Sequence, residues 1–149
     1  MAAYYQGLFR PKNIDKYVGD STKIVFRSSW ELRAMKFFDE HPSILKWGSE
    51  ELPIPYVSPV DNKLHRYFVD FIVKYRDNKG LIKKMMVEVK PSRQTRPPEN
   101  TGRNKRRYLN EMVTYAVNDA KWRAAKAFGA AHGMEFVIIT EKELFSDGQ

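Results

Sequence analysis

The chain has 149 residues, with 26 Lys plus Arg against 18 Asp plus Glu and a formal net charge of +8. At 42% hydrophobic and 13% aromatic it can bury a core, which excludes a wholly disordered basic tail. It has no cysteine and only 3 histidines, His41, His65 and His132, too scattered for a zinc site, so disulfides, thiolate chemistry and His-based zinc binding are excluded.

No apolar run approaches the ~18 residues of a membrane span, and no signal-peptide core opens the chain. A soluble, non-secreted protein is expected. The charge excess points to a polyanionic partner, nucleic acid first and an anionic membrane surface second.

Residues 1–26 carry scattered aromatics (Tyr4, Tyr5, Phe9, Tyr17) with no clean period. They are expected to form an arm along the domain or a partner, with a single domain over 27–149. Ser28 and Glu31 match a capping box, so a helix is predicted from Ser28 or Ser29 to Asp39 or Glu40, stopped by Pro42. On its wheel Trp30, Ala34, Met35, Phe37 and Phe38 form one apolar arc. Leu52, Ile54 and Tyr56 alternate with Pro53 and Pro55. The two prolines remove donors from one side only, as an edge strand allows. Residues 66–75 and 81–90 read as two more strands, joined by 77–80.

Residues 91–108 read as an Arg-rich loop containing Pro91, Pro97, Pro98 and Gly102. A long helix is predicted over 109–132, with Gly133 as its stop. Met112, Val113, Ala116, Val117, Ala120, Ala124, Ala127, Phe128 and Ala131 form its main apolar arc. Tyr108, Tyr115 and Trp122 recur on another face, expected to be a second packing surface under the N-terminal arm, with a subunit or partner interface as the alternative. Residues 135–140 form a last buried strand. The order α, β, β, β, α, β predicts an α/β fold, a mixed sheet flanked by helices.

Two carboxylates stand where strands disfavour them. Asp70 lies inside Tyr67-Phe68-Val69-Asp70-Phe71-Ile72-Val73, and Glu88 inside Met85-Met86-Val87-Glu88-Val89-Lys90. Each alone could be a salt-bridge partner or a strand-end residue. A three-residue loop Asn78-Lys79-Gly80 pairs Asp77 with Leu81, and this register sets Asp70 opposite Glu88 on one face. Like charges so placed repel, and a divalent cation between them reverses the sign. Lys90, two residues on, points to the same face. Hard oxygen ligands without His or Cys favour Mg²⁺ or Mn²⁺ over zinc.

Glu31 reads as the N3 acid of a capping box. Its wheel position between Phe38 and Met35 also turns it toward the sheet, which makes it the fourth candidate. Between Lys90 and Arg107 there are 7 Lys or Arg and one acid, Glu99. Arg93, Arg96, Arg103, Lys105, Arg106 and Arg107 read either as a solvated loop or as phosphate contacts beside the acidic cluster. Neutralising about five phosphates predicts a log–log salt slope of roughly −4 to −5 on duplex DNA. Lys121, at the border of the long helix's apolar arc, is an ordinary surface lysine or a further contact.

The set Glu31, Asp70 and Glu88-Val89-Lys90 resembles the active site of the PD-(D/E)XK, or restriction-endonuclease-like, nucleases, whose αβββαβ core has the order read above. Further stretches resemble the head-completion nucleases of contractile-tailed phages. They include Arg27-Ser-Ser-Trp-Glu31, Lys46-Trp-Gly-Ser-Glu-Glu51, Arg66-Tyr-Phe-Val-Asp-Phe71, Asn118-Asp-Ala-Lys-Trp122 and Thr140-Glu-Lys-Glu143. A transposon endonuclease subunit is similar more distantly.

The resemblance implies a Mg²⁺-dependent deoxyribonuclease, with Mn²⁺ able to substitute, acting on double-stranded DNA during phage head completion. Asp70, Glu88 and the Val89 backbone carbonyl would ligate the metal, and Glu31 would act through a water or a second metal. Lys90 would orient the attacking water or stabilise the developing charge. It further implies phage head or neck proteins as partners, no membrane, and a place in the host cytoplasm during assembly or on the virion. A structural head or neck protein that binds without cutting, and a junction resolvase, are the alternatives.

Overall fold

Ser28 sets where the first helix begins. Its side chain accepts the N–H of Glu31, and α1 (Ser29–Glu40) runs from there to His41, ahead of Pro42. The computed structural model describes residues 4–145; residues 1–3 of the expected arm and 146–149 of the expected domain lie outside it. α1 buries Ala34, Met35, Phe38 and Asp39. Phe37, expected in that arc, is half exposed and packs on His41, ring centroids 4.7 Å apart. The buried arc is rotated toward Asp39 because its carboxylate accepts the N–H groups of Lys12 (2.8 Å) and Asn13 (3.2 Å), which draws the preceding chain onto that flank.

That preceding chain is not a separate arm. β1 (Tyr4–Leu8) pairs antiparallel with β2 (Val25–Ser28), and Phe9, Tyr17, Ile24 and Phe26 are buried in the same core as α1. The boundary expected at residue 26 falls inside β2. Its aromatics show no period because irregular chain, not one regular element, delivers them.

β3 (Ile44–Ser49), which the sequence did not announce, follows α1. β4 (Pro53–Val57) carries the two prolines and pairs with β5 (Leu64–Phe68) as a two-stranded ribbon. The stretch expected as one strand over 66–75 is therefore split between β5 and β6 (Phe71–Arg76). At the break the Asp70 carbonyl accepts the Glu50 N–H at 3.0 Å, one step past Ser49 and Phe71 in the β3–β6 register, while β5 pairs instead with β4. Glu50 takes a left-handed φ of 54°, uncommon for a residue with a Cβ.

β6 pairs with β7 (Ile82–Val89) through the predicted three-residue loop, where Gly80 has φ 83° and the Asp77 N–H donates to Leu81 at 2.8 Å. Phe71 faces Val87 and Arg76 faces Ile82, so the register is the one predicted.

After a 3-10 turn (Ser92–Thr95), α2 (Lys105–His132) starts earlier than expected because Asn104 caps it, accepting the Arg107 N–H at 2.9 Å. Lys105, Arg106 and Arg107 thus belong to its first turn and not to a loop. Gly133, φ 69°, ends it. Its buried row is Asn118, Trp122, Ala125 and Gly129. Val117, Ala120, Ala124 and Phe128 flank that row, while Met112, Val113, Ala116, Ala127 and Ala131 are exposed. Trp122, the largest side chain in the row, takes the core, so the expected arc is rotated and Trp122 does not belong to a second surface under the N-terminal segment. A Cβ at Gly129 would stand 2.3 Å from the Met134 carbonyl oxygen, so only glycine lets α2 approach there.

β8 (Glu135–Ile139) returns parallel to β7, and α3 (Glu141–Leu144) follows behind a capping box of Thr140 and Glu143. The main sheet has the order β3-β6-β7-β8 and is mixed. α1 and the N-terminal segment cover the face bearing Phe71, Val73 and Val87. α2 and the ribbon cover the face bearing Met86, Ile72 and Ile138.

Candidate active site

β7 outlasts β6. The β6–β7 ladder closes at Phe71 and Val87, while the β7–β8 ladder continues to Val89 and Ile139. Asp70 and Glu88 stand where the sheet opens, one step past the closed ladder. The Asp70 side chain replaces the missing ladder bond: its Oδ2 accepts the Val89 N–H at 2.8 Å. The next N–H, of Lys90, donates to Ile139 on the β8 side at 3.0 Å. A trans peptide sets C=O opposite N–H, so the Val89 carbonyl points back toward Asp70.

Glu88 is 5% exposed. The Tyr67 O–H donates to its Oε1 at 2.5 Å, and the Lys90 Nζ lies 3.8 Å from its Oε2. Lys121 reaches in from α2. Its Nζ lies over the rings of Tyr56 and Tyr67 at 5.8 and 5.6 Å, and its charge acts on Glu88. The structure therefore places Lys121 at the acidic cluster, apart from the arginines.

Glu31 faces inward, as its wheel position predicts. Its Oε1 accepts the Arg27 N–H at 3.0 Å, one residue before the Ser28 N–H that a closed capping box would use. The Arg27 guanidinium pairs with Glu50 at 3.3 Å, and Glu50 holds the Asp70 carbonyl. One chain of bonds thus joins the start of α1 to Asp70. Tyr67 and Glu50 were not singled out in the sequence, although both lie in the conspicuous runs around Asp70 and Trp47.

The electrostatics are lopsided. Asp70 keeps a partly exposed edge, yet protein atoms crowd it on nearly all sides. Burial pushes its carboxyl well above the ordinary range, the Glu88 charge adds to this, and the Val89 N–H opposes it. Burial also raises Glu88, against the Tyr67 hydrogen bond and Lys90, and it raises Glu31.

A buried acid raised further by its neighbours' charges is short of positive charge, and an oxygen-liganded divalent cation is what such a donor set accommodates. Among the described residues no three His, Asp or Glu side chains form a ready metal-binding group. Asp70 and Glu88 stand together, and Glu31 is turned onto Arg27.

A groove of about 930 Å³ opens between residues 93–104 and the first half of α2. Arg93, Arg96, Arg103, Arg106 and Arg107 line it, and Lys105 does not. Three cations in the first turn of α2 oppose its macrodipole, a local cost that a bound polyanion removes.

A mixed sheet between helices, with two acids and a lysine gathered at the open end of its central hairpin, is the restriction-endonuclease-like arrangement of a nuclease. Residues 41–141 match the family described as TnsA-like endonuclease N terminal, and the chain belongs to that family. The head completion nuclease of Enterobacteria phage T4 is 40% identical over 144 residues, covering 94% of this chain and 93% of that relative.

Proposed function

We propose that this chain is a Mg²⁺-dependent deoxyribonuclease that cuts double-stranded DNA during completion of a phage head. One observation carries the reading: Asp70 and Glu88 are crowded together at the open sheet end with Lys90 beside them. Likeness to the T4 protein supports the setting, and the arginines after Lys90 support DNA as the polyanion. No helix among the described residues is long and apolar enough to cross a membrane. Head or neck proteins are the expected further partners, in the host cytoplasm or on the virion.

Asp70, Glu88 and the Val89 carbonyl would hold the cation, and Mn²⁺ is expected to substitute. When bound, it supplies Lewis-acid stabilisation of the phosphate and a more acidic water. Lys90 neutralises charge developing on the phosphate oxygens and orients the attacking water. Tyr67 holds Glu88 in one rotamer by its hydrogen bond. Glu31, whose charge acts on Asp70 although its carboxylate is bonded to the Arg27 N–H, would act through a water or a second metal.

The test is Mg²⁺-dependent cleavage of linear and branched duplex DNA by wild type, Asp70→Ala and Lys90→Ala. Active wild type with both variants inactive is expected. Equal activity in all three overturns the site. Tight binding without cleavage selects a structural head protein, and strong preference for four-way junctions selects a resolvase.

A further inference from the structure

The groove between residues 93–104 and α2 carries aromatic rings as well as charge. Tyr108 and Tyr115 line it from one face of α2, seven residues and thus about 10 Å apart along the axis. The two rings are half-buried, while the arginines around them are exposed. Glu111 occupies Arg107 at 3.6 Å, and among the described residues Arg93, Arg96, Arg103 and Arg106 have no carboxylate in ion-pair reach. The 3-10 turn Ser92–Thr95 joins this groove directly to Lys90.

A duplex does not use recessed tyrosines. Its base faces are covered by their neighbours in the stack, and it presents phosphates and groove edges sideways. An unpaired strand presents both phosphates and free π faces, and a basic groove with recessed aromatic rings suits it.

We propose that this groove seats an unpaired DNA strand, a single-stranded tail or the melted end of a duplex, beside the acidic cluster. The arginines contact its phosphates, and Tyr108 and Tyr115 stack on its bases. The proposal rests on the nuclease reading only for DNA as the ligand.

The test measures fluorescence anisotropy in EDTA with a labelled single strand, the blunt duplex and the same duplex bearing a single-stranded tail. Wild type is expected to bind the single strand and the tailed duplex more tightly than the blunt duplex. Tyr108→Ala/Tyr115→Ala is expected to weaken single-strand binding by about 10-fold or more, with little change on blunt duplex. Tyr108→Phe/Tyr115→Phe, which keeps the rings, is expected to retain the preference and so separates stacking from a folding defect.

Equal wild-type affinity for single strand and blunt duplex overturns the proposal. So does equal weakening on both ligands in an alanine variant whose thermal melt matches that of wild type. Failure of wild type to cleave any DNA with Mg²⁺ overturns the nuclease reading, and the EDTA titration still decides the strand preference.

Discussion

Asp70 donates no side chain to its strand's face; its carboxylate stands in for a strand instead, accepting the Val89 N–H at 2.8 Å where the β6–β7 ladder has already closed. This bond fixes the Asp70 carboxylate beside the Glu88 strand, while the Lys90 N–H bond to Ile139 turns the Val89 carbonyl toward Asp70. It also makes the site expensive, because two acids share a crowded end of the sheet.

Asp70→Asn keeps an acceptor for Val89 and removes one of the repelling charges. The folded-state carboxyl of Asp70 is raised, by burial first and Glu88 second. A raised acid contributes stability that is present below the ordinary carboxylate range and lost as pH rises through the folded value. At neutral pH the wild type carries that loss and the variant does not. Thermal melts in EDTA should show Asp70→Asn above wild type at pH 7 by about 3–6 °C, a gap that closes as pH falls below about 4. Added Mg²⁺ should raise the wild-type Tm and leave the variant unmoved. Cleavage by the variant should fall by about 100-fold or more.

Tyr67→Phe removes only the O–H that donates to Glu88 at 2.5 Å. That bond favours the ionised carboxylate, so its loss raises the Glu88 value further. If the ionised form is the active one, the acid limb of the pH–rate profile moves to higher pH. The rate at the plateau should fall by about 10-fold, the share of one hydrogen bond to a charged group. A profile with an unmoved acid limb would make Tyr67 a packing residue alone.

What the sequence revealed and hid follows from the range of the forces involved. The Asn78-Lys79-Gly80 loop acts locally, so the register from Phe71 to Arg76 was legible; that Asp70 leaves the strand and turns its carboxylate onto the Val89 N–H, instead of facing Glu88 across a ladder, was not. Nor was the split of 66–75 into two strands, because it depends on β5 pairing with β4 in a ribbon separate from the main sheet. The start of α2 was obscured by its own chemistry: Lys105, Arg106 and Arg107 are wrong for a helix N-terminus and hid the Asn104 cap. The face of α2 was misjudged by weighing many small residues against one Trp122. The N-terminal segment looked like an arm because its anchors are a buried carboxylate and isolated aromatics rather than a periodic stripe.

That anchoring carboxylate gives the third prediction. Asp39 is 1% exposed and accepts two backbone N–H groups from the segment before α1. Asp39→Ala strands both donors at a part-buried junction and should cost about 2–3 kcal/mol in urea unfolding. It should also open the segment to proteolysis near Lys12 and Lys16 before the rest of the chain. A neutral result would mean that Phe9, Ile24 and Phe26 hold the segment by packing alone.

The arginines facing the groove give the fourth. Arg93, Arg96 and Arg103 are exposed, and their worth to stability is small, as for most surface charges. Their worth to DNA binding is counted by salt. Each phosphate neutralised releases counterion and contributes about −0.9 to the log–log slope on duplex DNA. The triple variant Arg93→Ala/Arg96→Ala/Arg103→Ala should therefore bind blunt duplex with a slope shallower by about 3 than wild type, while its melting temperature stays within a degree or two. The affinity loss should be the same for unrelated sequences, since contacts to phosphate position the nucleic acid without reading its bases. A slope unchanged within error would place these three side chains off the duplex and leave them to the unpaired strand. The duplex contacts would then fall to Arg106, Arg107 and Lys121, which approach from α2.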